Sequence, residues 1–119
     1  MNYVLLIYQG TTPLPGSDAW NELPGDEQKA IYADYAALGQ IPGVTAGLPL
    51  GLPEKATTVR VENGTARTTE GPYVGLNEAV GGYFVLEADD LDAAIELAAR
   101  VPAARHGGAI EVRPVETYW

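Results

Sequence analysis

Two carboxylates, a phenol and an amide stand together in one short segment, TTEGPYVGLNE at residues 68–78. Glu70 and Glu78 flank Tyr73 and Asn77, with Gly71-Pro72 between them. A carboxylate partly shielded by an aromatic ring has its pKa raised toward neutrality, which suits a general base. A second carboxylate nearby pushes one of the two higher still. In that reading the segment sits at the mouth of a cleft, with Tyr73 and Asn77 as substrate contacts. A structural reading stands beside it. Pro72 presets a turn, Gly71 permits a tight approach, Tyr73 fills a gap in the core, and Glu70 accepts backbone N–H bonds.

His106 is the only histidine in the chain. It lies in PAARHGGA, between a helical segment and the last strand. It is either an exposed loop imidazole near a helix C-terminus or an acid–base catalyst, the latter needing Glu70 or Glu78 within hydrogen-bond reach. Arg113, in EVRPV, alternates with Val112 and Val115 and so points away from the apolar face. It serves as a structural ion-pair partner or as an anion contact. Tyr32 and Tyr35, on the first helix, read as core or as ligand contacts. One histidine and no cysteine exclude thiol chemistry, disulfides and any multi-histidine metal site within one chain. Asp89, Asp90 and Asp92 read as a helix cap, not a metal loop. No glycine-rich phosphate loop follows the first strand, so no nucleotide cofactor is expected.

These residues must be positioned by elements whose signals are plain. YVLLIY (3–8) reads as a strand buried on both faces. Residues 9–25 form a long loop by composition, anchored by Trp20 and Leu23. DEQKAIYADYAALGQI (26–41) is a helix with Ile31, Tyr35 and Leu38 as its apolar stripe. Residues 44–53 allow only an irregular or edge strand. Residues 57–69 are a hairpin turning at Asn63-Gly64. AVGGYFVLEA (79–88) is a central strand, with Gly81-Gly82 marking a bulge or a close approach. Residues 89–102 form a second helix, with Asp89 as N-cap, Leu91, Ile95 and Ala98 as its stripe, Ala94 beside them, and Pro102 as its stop. Residues 109–119 are a last strand, at an edge because Pro114 lacks an N–H.

The order β-α-β-(hairpin)-β-α-β gives an α+β fold, the ferredoxin-like split βαβ arrangement with an inserted hairpin, in a single domain over residues 1–119. Both helices cover one face of the sheet. The other face needs a cover, and a second copy of the chain is expected to supply it, with Trp119 packed into that interface.

The ordered set YVLLIY, TTVRVENG, TTEGPYVGLNE, GGYFVLEADDLDAAIELAARVP and GGAIEVRPVE resembles the YCII-related family, in particular its DGPF branch. The resemblance implies a dimeric α/β barrel and allows an association with extracytoplasmic-function sigma factors. Here Glu70-Gly71-Pro72-Tyr73 replaces the family's Asp-Gly-Pro-Phe. Tyr32 stands roughly where some relatives carry a helix histidine, which makes it a candidate substrate contact. Two functions follow as alternatives. One is a small-molecule acid–base enzyme without a bound cofactor. The other is a non-catalytic ligand-binding or regulatory module tied to sigma-factor signalling.

The net charge of −9 argues against nucleic acid and anionic membrane as partners, because lysine and arginine drive both kinds of binding. The apolar run at the N-terminus is too short to span a bilayer and lacks a signal-peptide pattern, so a cytoplasmic protein is expected.

Overall fold

A computed structural model of the chain describes residues 1–118. Strand β1 (Asn2–Tyr8) forms the spine, because its even alternation places Tyr3, Leu5 and Ile7 on one buried face. Short helix α1 (Asp18–Asn21) begins at Ser17, whose hydroxyl accepts the Trp20 N–H. Helix α2 (Gly25–Gly39) follows Pro24, with Asp26 and Glu27 at its positive end. Edge strand β2 (Val44–Ala46), hairpin strands β3 (Thr57–Glu62) and β4 (Thr65–Glu70), and strand β5 (Val80–Glu87) come next. Helices α3 (Leu91–Ala98) and α4 (Pro102–Arg105) lead into β6 (Ala109–Pro114).

The main sheet runs β2-β5-β1-β6, with every neighbouring pair antiparallel. This is the ferredoxin-like order, with β1 and β5 central and β2 and β6 at the edges. The expected edge position of β6 follows from Pro114 at its end. The hairpin turns at Asn63 (φ 50°) and Gly64 (φ 76°), both left-handed as a type I′ turn requires. It joins no other strand and forms its own two-stranded sheet.

The helices pack on one face only, against Leu5, Phe84, Leu86 and Val112. The shortest dimension of the molecule is 19 Å, about one helix layer on one sheet layer. On the opposite face Val4, Leu6 and Tyr8 are half-buried, so β1 is not enclosed on both sides within one protomer. The apolar run in its sequence gave the stronger expectation because periodicity does not say whether the second face meets a helix or a partner.

The second helix departs from its sequence reading in three ways. It breaks after Ala98, and Pro102 opens α4 at a first-turn position, where a missing N–H does no harm. Its N-cap is Asp90, which accepts the Ala93 N–H at 2.9 Å, not Asp89. Its buried side is Ala94, Leu97 and Ala98, whereas Leu91 and Ile95 are half exposed. The face packed on the core is the one that carries Ala94, Leu97 and Ala98, and it leaves Leu91 and Ile95 toward solvent. The expected interface role of Trp119 lies outside the described residues.

Candidate functional site

Two loops meet at one end of the sheet and shape a cavity. The segment after β1 and the segment before β6 interleave backbone to backbone. Thr11 donates to the Gly107 carbonyl at 3.3 Å, and the Thr12 hydroxyl donates to the His106 carbonyl at 3.0 Å. A side chain on Gly10 (φ +59°) would run into the Gly107 carbonyl, and one on Gly107 (φ +98°) into the Thr11 hydroxyl. Glycine is therefore required at both positions by conformation and by space. The lock fixes Gln9 and Thr12 at the top of the sheet. On the facing strand the pairing jumps from Ile7–Gly82 to Tyr8–Val80, so Gly81 is an extra residue, a β-bulge. A side chain there would collide with Gln9, so the bulge leaves Gln9 its place.

The cavity has a volume of about 480 Å³ and lies between α2, the helix-side face of the sheet, and the loops at 12–15 and 46–50. Its wall is largely apolar and includes five aromatic residues, Trp20, Tyr32, Tyr35, Tyr83 and Phe84. Trp20 meets Tyr32 edge to face, with centroids 5.2 Å apart, and Tyr35 lies parallel to Phe84 at 6.4 Å. Gln28 on α2 donates to the Trp20 carbonyl at 2.8 Å and so ties the long loop to the helix. An ion pair at 3.0 Å between Arg105 and Asp34 holds α4 to α2 beside the wall. Burial raises the Tyr35 pKa above its ordinary value of 10.0. The Ala103 backbone N–H, the Gln9 side chain and the Arg105 charge oppose that shift without cancelling it. The hydroxyl therefore stays protonated at neutral pH.

The residues singled out from the sequence fall in several places. Tyr32 lines the cavity and is about half exposed. His106 is exposed at the end of α4, and its carbonyl rather than its imidazole contacts a cavity residue, Thr12. Glu70 ends β4 and is exposed. The turn after it is pinned to β3, because Gly71 donates to the Ala56 carbonyl at 2.7 Å and accepts the Thr58 hydroxyl at 2.8 Å. The segment is thus a turn, as the structural reading held. Tyr73, however, is 73% exposed and fills no core gap. Arg60 lies over its ring at 5.8 Å. Tyr73 lines an open groove of about 420 Å³ with Leu52, Ala56 and Pro72. Glu78 and Asn77 lie exposed in a 3-10 turn (Leu76–Glu78). Among the described residues no hydrogen bond or ion pair joins His106 to Glu70 or Glu78. Arg113 stands opposite Val4 on the uncovered sheet face, 3.9 Å from Glu111. The same described residues gather no three His, Asp or Glu side chains as a metal site would need. None of their helices is long and apolar enough to cross a membrane.

The fold, its inserted hairpin and the run of motifs along the chain agree with a comparison against protein families. Over residues 1–118 the sequence matches the YCII-related domain. The chain belongs to the YCII-related family. No curated protein matches its sequence. Within this YCII-related fold, Tyr32 and Tyr35 are cavity residues that the first helix offers, whereas Gln9, Thr12, Trp20 and Phe84 are ones that no chemistry-bearing motif marks as ligand contacts. One signal does point to them. Residues 9–25 make a long connection, and such loops in compact domains are commonly functional. Gly81-Gly82 marked the opposite wall.

Proposed function

We propose that this YCII-related protein is a non-catalytic small-molecule-binding module whose ligand occupies the cavity between α2 and the sheet. The observation that carries this reading is the chemistry of the wall, which is largely apolar and contains no carboxylate and no imidazole. Acid–base catalysis near neutral pH is best served by a group that titrates in that range within hydrogen-bond reach of the reacting atom, and the titratable side chains of this wall are phenols. Binding needs only a concave apolar surface with a few oriented polar groups, and Gln9, Thr12 and Tyr35 provide those. The test is a thermal-shift screen of neutral apolar fragments. A fragment at one hundred times its dissociation constant stabilises the native state by about 2.7 kcal/mol. Hits whose effect disappears in Trp20→Ala support the reading; a screen without hits sinks it.

A second reading is a cofactor-independent acid–base enzyme with His106 as the base and Glu70 or Glu78 as its partner. Its support is the bond from Thr12 to the His106 carbonyl, which puts the imidazole on a residue adjoining the cavity. Under this reading His106→Ala retains ligand binding and loses turnover. Unchanged turnover removes His106 from the mechanism.

The half-exposed apolar side chains of the uncovered sheet face support a homodimer of the dimeric α/β barrel type. The Glu70-Gly71-Pro72-Tyr73 segment supports membership of the DGPF branch, and with it a cytoplasmic role beside an extracytoplasmic-function sigma factor. A net charge of −9 suits a basic partner. Pull-down of a purified sigma factor of that class, lost at high salt, is the expected result; no capture at low salt sinks the association.

A further inference from the structure

The cavity is sorted by charge as well as by shape. The chain carries sixteen Asp+Glu and seven Lys+Arg, yet none of them lines this space, and neither does the histidine. A charged ligand would find no counter-charge on the wall, since the nearby Arg105 is already paired with Asp34, and an unpaired charge in an apolar site is strongly penalised. The walls are flat. The Tyr35 and Phe84 rings lie within 9° of parallel, so a planar ring stacked on one lies parallel to the other as well.

One polar group is left with a proton to give. Tyr35 lines the cavity beside Gln9. Among the described residues the hydroxyl itself donates to no protein acceptor. A phenol on the cavity wall with no protein acceptor for its proton offers one directed hydrogen bond to an acceptor in the cavity.

We infer that the cavity selects a neutral planar ring compound bearing a carbonyl-type acceptor, which takes the hydrogen bond of the Tyr35 hydroxyl. The inference rests on the reading of the cavity as a ligand site. Gln9 is the positioning residue. Gly81 leaves room for its side chain.

Three two-ring probes separate the contributions: coumarin, neutral with a lactone carbonyl; naphthalene, neutral without an acceptor; and 2-naphthoate, charged. Binding to the full chain is followed by two-dimensional amide NMR. The expected order is coumarin, then naphthalene, then 2-naphthoate. Tyr35→Phe keeps the ring and removes the donor. It should weaken coumarin roughly five- to tenfold, the worth of one neutral hydrogen bond, and leave naphthalene unchanged. Spectral dispersion of the variant verifies its fold, and the wild-type order is informative without it. Equal affinities for coumarin and naphthalene overturn the inference, as does tightest binding of 2-naphthoate. An unaffected coumarin affinity in Tyr35→Phe also overturns it. If none of the three shifts the cavity amides, the ligand-site reading itself fails.

Discussion

Leu6→Glu puts a carboxylate in the middle of the uncovered sheet face. Leu6 lies opposite Tyr83 on β5 and opposite Glu111 on β6, so the new group gains a like charge as its direct cross-strand neighbour. In the separate protomer both groups reach water. At about 5 Å in bulk water the repulsion is only about 0.8 kcal/mol, so the protomer stays folded. In a face-to-face dimer the same pair is shielded. With an effective dielectric constant of about 20 it costs about 3 kcal/mol, and twofold symmetry counts it twice. Net of the repulsion already present in the protomers, a loss of about 4–5 kcal/mol raises the dissociation constant about a thousandfold or more. The assay is light scattering on a gel-filtration column across a hundredfold range of concentration. Wild type should run at twice the chain mass of 12.6 kDa, and the variant at the single-chain mass with an unchanged far-UV spectrum. A wild-type protein that runs as a single chain throughout, or a variant that still dimerises, refutes the reasoning that a second copy covers this face.

Gly10→Val combines a left-handed backbone with a collision against the Gly107 carbonyl, and should cost more than about 2 kcal/mol in denaturant unfolding. Gly64→Ala, where nothing lies near the glycine, serves as the comparison for the backbone term alone. Leu5 is fully buried on the central strand, so Leu5→Ala should lose about 3–4 kcal/mol, or about 12–16 °C in Tm for a chain of this length. Tyr35 gives a pH signature. Its folded pKa is raised, so its contribution to stability is intact below about pH 10, the unfolded value, and declines as pH rises through the folded one. Unfolding midpoints from pH 9 to 11 should fall more steeply in wild type than in Tyr35→Phe; parallel curves would contradict the burial argument.

The strands, the hairpin turn, the first helix and the anchoring role of Trp20 were all legible, because each rests on a local signal. Alternation marks β1, Asn63-Gly64 marks the turn, and Gly81-Gly82 marks the bulge. The second helix was misread at its cap. Three aspartates in four residues offer competing starts, and the alternative stripe through Ala94 and Leu97 is made of the same apolar types as the one through Leu91 and Ile95, so only packing decides which is buried. The candidate site was legible only through Tyr32 and Tyr35. Attention went to acids and the histidine, because those types announce chemistry. The cavity is made by tyrosines, a tryptophan and a glutamine, whose types are as common in cores as in binding sites. Their meeting depends on glycine contacts between loops about one hundred residues apart, which no local pattern carries.

The extra residue at Gly81 has a consequence for how the chain tolerates changes of length. Because side chains alternate along a strand, removing that one residue would restore regular pairing and turn Val80 to the opposite side of the sheet. Everything upstream of it, back to the exposed ribbon, would be drawn one position along. The ribbon's tip, by contrast, touches nothing beyond its own strands and takes insertions with little effect on the rest. Length is therefore free at one end of this insertion and strictly held at the other.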